Sequence, residues 1–408
     1  MPLLAALSLS GPLTEFEPTP AAAHARLARL NPARYARTRN HLDGAVSGLS
    51  PYITHGLLSV RDALSALAAR HPLSYQDKIV AEFAWREFFA NVWQREGDGI
   101  LADLGTPPWG GDYARVLPPD VRSARTGVPA IDSAVRTLYA TGYLHNHARM
   151  WLASYVVHYR KVHWRVAADW MVGHLLDGDL ASNHLSWQWV AGTFSTKPYV
   201  FNAENVARYA PASGAEAWLS EGSAIDRPYD ALDALARSAQ TLQPERASGA
   251  GTTEPPLLGR PPGSTPFDGV ALDGKAVELV HPWALHDAPL GGASALRLGV
   301  VHLPFHQAFP WSARRWQFVL TRLQAVTGAV FVGDLAQLAP ALQRSADVRA
   351  TATLNPHYRD VLARLAKLTP APRLFDTPVP CTSFTKFYDR VQRDAGPLAA
   401  LLQAAPRA

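Results

Sequence analysis

The sequence predicts a multidomain α and α/β chain, an all-helical part followed by a parallel α/β part. Three observations carry that expectation. Apolar residues recur at helical spacing across residues 20–210, short alternating runs separated by helical segments fill residues 273–408, and a Pro/Gly/Ser-dense stretch parts the two.

The helical part opens with AAAHARLARL, followed by LSVRDALSALAAR, whose apolar positions from Leu58 to Leu67 fall on one face. QDKIVAEFAWREFFANVW predicts one long aromatic-rich helix. Thr126-Gly127-Val128-Pro129 starts another, with proline in the first turn where its missing N–H costs nothing. That helix is expected to stop at Thr141-Gly142, a C-terminal glycine. ARMWLASYVVHYR and WRVAADWMVGHLL continue the pattern. Residues 211–272 read as a linker with one helix around Tyr229–Ser238. Strands are expected at 277–280, 296–303, 328–334 and 348–354. Helices are expected in SARRWQFVLTRLQAV, LAQLAPALQR and HYRDVLARLAKL.

Composition excludes several classes. Of the 408 residues 48% are apolar and 18% charged, a globular balance. No uninterrupted apolar run reaches the ~18 residues a membrane span needs. The opening residues MPLLAALSLSGPLTEFEP carry no Lys or Arg, so a secretory signal is not expected. The single cysteine, Cys381, excludes a disulfide framework and any multi-cysteine iron–sulfur or zinc site. The compartment reads as cytoplasmic, and a monomer is expected. A net charge of +5 permits a phosphate-rich partner without requiring one. Twelve tryptophans hint that rings do more here than fill a core.

Three helix faces mix charge with aromatics: Glu82, Trp85, Arg86 and Phe89; Asn146, Arg149 and Met150; and Asp179, Asn183 and Trp187. Each taken singly also suits an ordinary amphipathic bundle. Together they suit a polar ligand, because a buried unpaired charge is expensive. No GxxxxGK[ST] loop is present, and Gly249-Ala250-Gly251 lacks the third glycine of a dinucleotide fingerprint. His145 and His147 lie at i and i+2, on opposite sides of a helix, so no metal site is expected there.

Across residues ~20–205 the chain resembles the FAD-binding domain of the photolyase/cryptochrome family. The strings that carry the resemblance are Ser47-Gly48-Leu49-Ser50-Pro51-Tyr52, EFAWREFF (82–89), TGVPAID (126–132), TGYLHNHARM (141–150), HWR (163–165) and LLDGDLASNHLSWQWVAGT (175–193). They fall in family order and at family spacing. The resemblance implies FAD, held by Tyr35, Ser47, Leu49, Ser50, Arg86, Asn146, Arg149, Asp177, Asp179 and Asn183. Ser47, Leu49 and Ser50 match the loop that holds the cofactor phosphates, where Val46 and Gly48 replace the usual Thr and Arg. Arg149 and Asp177 match an ion pair flanking the flavin ring, Asp179 a carboxylate near its polar edge, and Asn183 the residue facing flavin N5.

For substrate, Glu82, Trp85, Met150 and Trp189 match a pocket for an extruded pyrimidine dimer in damaged DNA, and Asn146 touches both flavin and lesion. Flat rings suit a flipped base, and a Glu82 carboxyl suits the pyrimidine carbonyls. Neither Asn146 nor Met150 is His, which favours dimer repair over the (6-4) branch. Trp187 and Trp164 match an electron-transfer chain whose third member is left open between Trp109 and Tyr113. His147 replaces a common Arg, and GTFSTKPYVFN (192–202) departs from the family's usual ending.

The implied function is blue-light DNA repair by a deoxyribodipyrimidine photo-lyase-like enzyme, the alternative being a cryptochrome-type photoreceptor without repair. Residues 273–408 resemble more weakly the family's Rossmann-like antenna domain in permuted order. The matching strings are Leu279-Val280-His281-Pro282-Trp283, Trp311–Phe318, Phe331–Asp334 and Cys381–Phe387. Nothing is expected before the FAD-binding domain, where the family normally carries its antenna domain. The identity of a second, antenna chromophore is left open.

Overall fold

The computed structural model describes residues 15–243, 250–262, 271–290 and 292–404. The chain forms two compact units, each built from separated stretches: residues 1–32, 47–95 and 256–408 in the first, residues 33–46 and 96–255 in the second. Residues 1–14, on which the leader reading rests, Gly249 of the glycine pair and residues 263–270 of the expected linker lie outside the described residues.

In the first unit each helix start follows from a cap. The Thr19 hydroxyl accepts the Ala22 N–H at 3.1 Å and Pro20 follows, starting Pro20–Arg29. The Ser59 hydroxyl accepts from the Asp62 amide at 3.0 Å and starts Val60–Ala68, which buries Val60, Ala63, Leu64 and Leu67. The helix Lys78–Glu96 buries Ile79, Val80, Phe83, Phe88, Phe89 and Trp93 around more than one face, as the unbroken apolar pattern requires.

The same unit contains a five-stranded parallel sheet: β1 (Ala276–Val280), β2 (Leu296–His302), β3 (Ala329–Gly333), β4 (Asp347–Thr351) and β5 (Lys367–Thr369), in spatial order β3-β2-β1-β4-β5. Leu279, Val280, Leu298, Val300 and Val301 are buried, the continuous apolar run of a sheet covered on both faces. The helix Ala313–Val326 connects β2 to β3, and Tyr358–Leu365 connects β4 to β5. Four strands fall where the alternation places them, although the fourth ends at Thr351 and not at residue 354. The fifth went unread because all three of its residues are exposed and carry no burial pattern.

The second unit is helical. Pro129–Thr141 starts at its proline and ends at Gly142 with φ +68°, as its sequence predicts. Asn146–Ser154 passes into a π-helical turn, Tyr155–Tyr159, where a continuous α-helix is expected. Trp164–His174 and Leu180–Ala191 complete the aromatic core.

The expected linker is folded over most of its described length. Ile225, Leu232, Leu235 and Leu242 join the second unit's core. Lys161 Nζ donates to the Leu235 and Ala236 carbonyls at 2.8 and 3.1 Å, closing the helix Tyr229–Ala236. Glu254 receives Arg122, the Trp170 indole and His174 at 2.5, 2.9 and 3.4 Å. In the first unit Leu257–Leu258 pairs antiparallel with Trp311–Ser312. The composition signalled a tether, but its scattered apolar and charged residues find partners. Among the described residues no helix is long and apolar enough to cross a membrane.

Candidate functional site

Within the second unit, Arg149 and Asp177 meet. His145 caps the helix Asn146–Ser154, its Nδ1 accepting the His147 N–H at 3.1 Å, and this fixes where Arg149 leaves the first turn. Arg149 Nε donates to the Leu144 carbonyl at 2.7 Å, and one terminal nitrogen donates to both Asp177 oxygens at 3.1 and 2.8 Å. Asn146 and Met150 lie one turn apart, the Asn146 amide 3.5 Å from the Met150 sulfur. Burial, then the neighbouring His147, pushes His145 down to about 4. Burial, then Arg39, does the same to His147, so at neutral pH His147 does not reproduce the charge of the arginine it replaces.

Asp179 caps the helix Leu180–Ala191, accepting the Ser182 N–H at 2.9 Å through Oδ2. Asn183, one turn on, donates its amide to the Ala168 carbonyl at 2.9 Å. Asp179 Oδ1 and Asn183 Oδ1 have no hydrogen-bond partner among the described residues. Two acceptors are thus left open on one helix face. Trp187, a further turn along, is buried, whereas Trp189 is 37% exposed with its ring 5.9 Å from that of Tyr199. The divergent stretch after Gly192 is held by the Ser195 hydroxyl, which donates toward the Trp189 and Lys197 carbonyls at 2.8 Å each.

Trp164 is buried, and its indole N–H donates to Asp103. From Trp164 the rings run to His163 at 5.7 Å, Tyr113 at 6.4 Å and Trp109 at 4.9 Å, each distance measured from the preceding ring. Both open alternatives for the third member therefore lie on one run. Tyr35, in the same unit, is buried in the helix Pro32–Thr38.

Within the first unit, Glu82 is exposed on the helix Lys78–Glu96, and Arg86 donates to the Thr54 hydroxyl at 2.8 Å. Trp85 lies face to face with Phe384, centroids 4.0 Å apart and planes 8° from parallel. In the loop 47–50, Leu49 is buried and its N–H reaches the Ser47 hydroxyl at 3.4 Å. Gly48 has φ +59°, and a Cβ there would stand 2.7 Å from the Arg26 guanidinium. Glycine suits that position for its left-handed backbone, whereas the Arg26 guanidinium, at the end of a flexible side chain, could move aside.

The sequence reading gave no site role to Arg26, Asp103 or Phe384. Arg26 and Asp103 lie outside the matched strings, and Phe384 was read only as part of the antenna-like segment Cys381–Phe387.

Residues 79–248 match the family described as the FAD binding domain of DNA photolyase. The chain is similar to a deoxyribodipyrimidine photo-lyase of Synechococcus, 34% identical over 205 residues that make up 46% of this chain and 42% of that protein. It is also similar to a cryptochrome DASH of Gloeobacter violaceus, 30% identical over 170 residues, 39% of this chain and 33% of that one. Among solved structures, a Synechocystis cryptochrome covers 49% of this chain and 45% of its own at 28% identity, with a TM-score of 0.43. The chain thus spans less than half the length of the curated relatives it matches. The matched segment runs from the helix Lys78–Glu96 through the Asp179–Asn183–Trp187 face, and this part of the chain is similar to the FAD binding domain of DNA photolyase.

Proposed function

We propose that this protein is a blue-light-driven repair enzyme that splits cyclobutane pyrimidine dimers in DNA. The observation that carries the reading is Trp189, a 37% exposed indole on the same helix that presents the open Asp179 and Asn183 acceptors and buries Trp187.

The residues fit FAD. Asn183 Oδ1 and Asp179 Oδ1, both unpartnered among the described residues, suit the donor groups of a flavin's polar edge. The Arg149–Asp177 pair provides a fixed charge pair beside them. In the first unit the Ser47–Ser50 loop offers hydroxyls and amides to the phosphates, and Arg26 supplies the guanidinium that position 48 lacks. Tyr35, Arg86 and Asn146 complete the proposed cofactor contacts. Bound there, FAD supplies light-driven one-electron chemistry.

The chain's own residues do the rest. Trp85, Met150 and Trp189 offer apolar faces to an extruded dimer. Glu82 hydrogen-bonds its pyrimidine edge, and Asn146 orients it. Trp187 and Trp164 relay single electrons, because an indole is readily oxidised and these two are buried. Residues 273–408 are proposed to be the family's antenna domain in permuted order, a reading supported by the β3-β2-β1-β4-β5 arrangement, which is doubly wound.

A cryptochrome-type photoreceptor is the second reading, favoured by Phe384 covering one face of Trp85. The test is direct: purify the protein, record its flavin spectrum, and illuminate it with a dimer-containing oligonucleotide. Restored pyrimidines support repair. A flavin spectrum without repair supports the photoreceptor, and absence of flavin defeats both.

A further inference from the structure

We infer that Asp103 is the proton acceptor for Trp164 when that indole is oxidised, an inference that rests on reading Trp164 as an electron donor. Trp164 opens the helix Trp164–His174 and is 3% exposed, so an indole proton released there has no direct path to water. Its Nε1–H donates to Asp103 Oδ1 at 2.5 Å, while the Asp103 side chain is 37% exposed. One carboxylate therefore touches the buried indole and the solvent.

The surroundings hold Asp103 in place and leave it free to act. Arg165 donates to the Leu101 carbonyl at 2.6 Å, securing the 3₁₀ turn Gly97–Leu101 two residues before it. The same guanidinium is paired with Asp169, and Asp103 Oδ2 has no hydrogen-bond partner among the described residues. His163 Nε2 lies 3.6 Å from Asp103 Oδ1. Burial, then Arg115, lowers the His163 pKa, so the ring stays neutral and does not supply a competing proton. Asp103, Tyr113, His163, Trp164 and Thr193 line one shallow, open recess, which gives the carboxyl a short route to water.

The balance closes. A one-electron oxidant of the photoexcited flavin class, acting through Trp187, takes one electron from Trp164. The Nε1–H bond then breaks, its electron pair stays on nitrogen, and the proton moves to Asp103, leaving a neutral indolyl radical and a carboxylic acid. An external thiol returns the electron, and Asp103 or water returns the proton. Loss of the positive charge blocks return of the electron from the flavin side, so the carboxylate lengthens the life of the separated charges.

Asp103→Asn separates this role from a structural one, because asparagine still accepts the indole hydrogen bond but takes no proton. In flash photolysis of the flavin-loaded protein, Asp103→Asn is expected to form the protonated indole radical as wild type does and to lose its proton at least tenfold more slowly. Asp103→Glu is expected to keep the fast loss and serves if the asparagine variant folds poorly. In flavin-free protein, the indole N–H resonance assigned through Trp164→Phe is expected to move upfield in Asp103→Asn as a charged acceptor becomes neutral. Proton loss at the wild-type rate in Asp103→Asn overturns the inference. A different result, radical formation unchanged by Trp164→Phe, removes Trp164 from the relay and overturns the reading beneath it.

Discussion

Trp85 is stacked on Phe384, 299 positions later in the chain, with centroids 4.0 Å apart and an interplanar angle of 8°. Phe384 in turn lies 5.2 Å and 18° from Tyr388, so three rings form one stack. The ring expected to receive a flipped base already has an occupant on one face. Phe384→Ala frees that face. Because base–ring stacking contributes ~1–3 kcal/mol and a ring pair ~0.5–1.5 kcal/mol, affinity for a dimer-containing oligonucleotide is expected to rise up to about tenfold. Unchanged affinity shows that Phe384 and the base do not compete.

Trp189→Ala removes the most exposed indole of the helix Leu180–Ala191 and is expected to weaken binding to lesion DNA by ~1–3 kcal/mol through lost stacking. Fluorescence anisotropy with damaged and undamaged duplexes measures it. Equal affinity of the wild type for both duplexes would defeat the repair reading.

Trp187→Phe keeps the packing of a buried ring but not its ease of oxidation. Photoreduction under steady blue light is expected to slow by at least tenfold while flavin content stays at the wild-type level. Asn183→Asp replaces an amide by a carboxylate at the open acceptor position, and the flavin's light-induced absorbance changes are expected to differ from wild type. An unchanged spectrum removes Asn183 from the flavin's edge.

Arg149→Ala removes the cation paired with Asp177, whose side chain is 4% exposed. Breaking such a pair costs ~3–5 kcal/mol, the lower end being expected because Arg149 is itself partly exposed. Urea unfolding gives the loss, and a midpoint within error of wild type contradicts it.

Glu87 sets a pH dependence within the first unit. Its buried carboxylate receives the Leu374 N–H at 3.0 and 3.1 Å and the Phe375 N–H. Burial, only partly offset by those donors, pushes its pKa from 4.5 up to about 7. A carboxyl raised in the folded state contributes stability that is complete below its unfolded pKa and lost as pH climbs through the folded one. At about 1.4 kcal/mol per pKa unit, the first unit is expected to lose ~3 kcal/mol between pH 4.5 and about 7 from this group. Glu87→Gln flattens that part of the stability profile, and a profile identical to wild type rejects the assignment.

Elements were legible where period and punctuation agreed. Pro129 and Gly142 bracket a helix because each ring or missing side chain acts on its own backbone, and β1 and β2 show because their apolar runs are buried on both faces. The exposed β5 and the π turn at Tyr155–Tyr159 leave no such trace, since the turn changes hydrogen-bond partners without changing residue character. The Asp179–Asn183–Trp187 face was legible for the same local reason. Arg26, Asp103 and Phe384 reach their partners through the fold, and no spacing rule connects Asp103 with Trp164.

The first unit gathers its helices from the beginning of the chain and its sheet from the end. Arg61, in the helix Val60–Ala68, donates to the carbonyls of Leu401, Leu402 and Ala404 at 2.8, 3.1 and 2.9 Å. During synthesis that guanidinium waits for some 340 further residues to leave the ribosome before its acceptors exist. The second unit, closed by residue 255, has every one of its partners much sooner. Nascent chains are therefore expected to acquire the aromatic helical core first and to keep their early amphipathic helices uncovered until the sheet and residues 401–404 have been made, an interval in which those faces depend on chaperones.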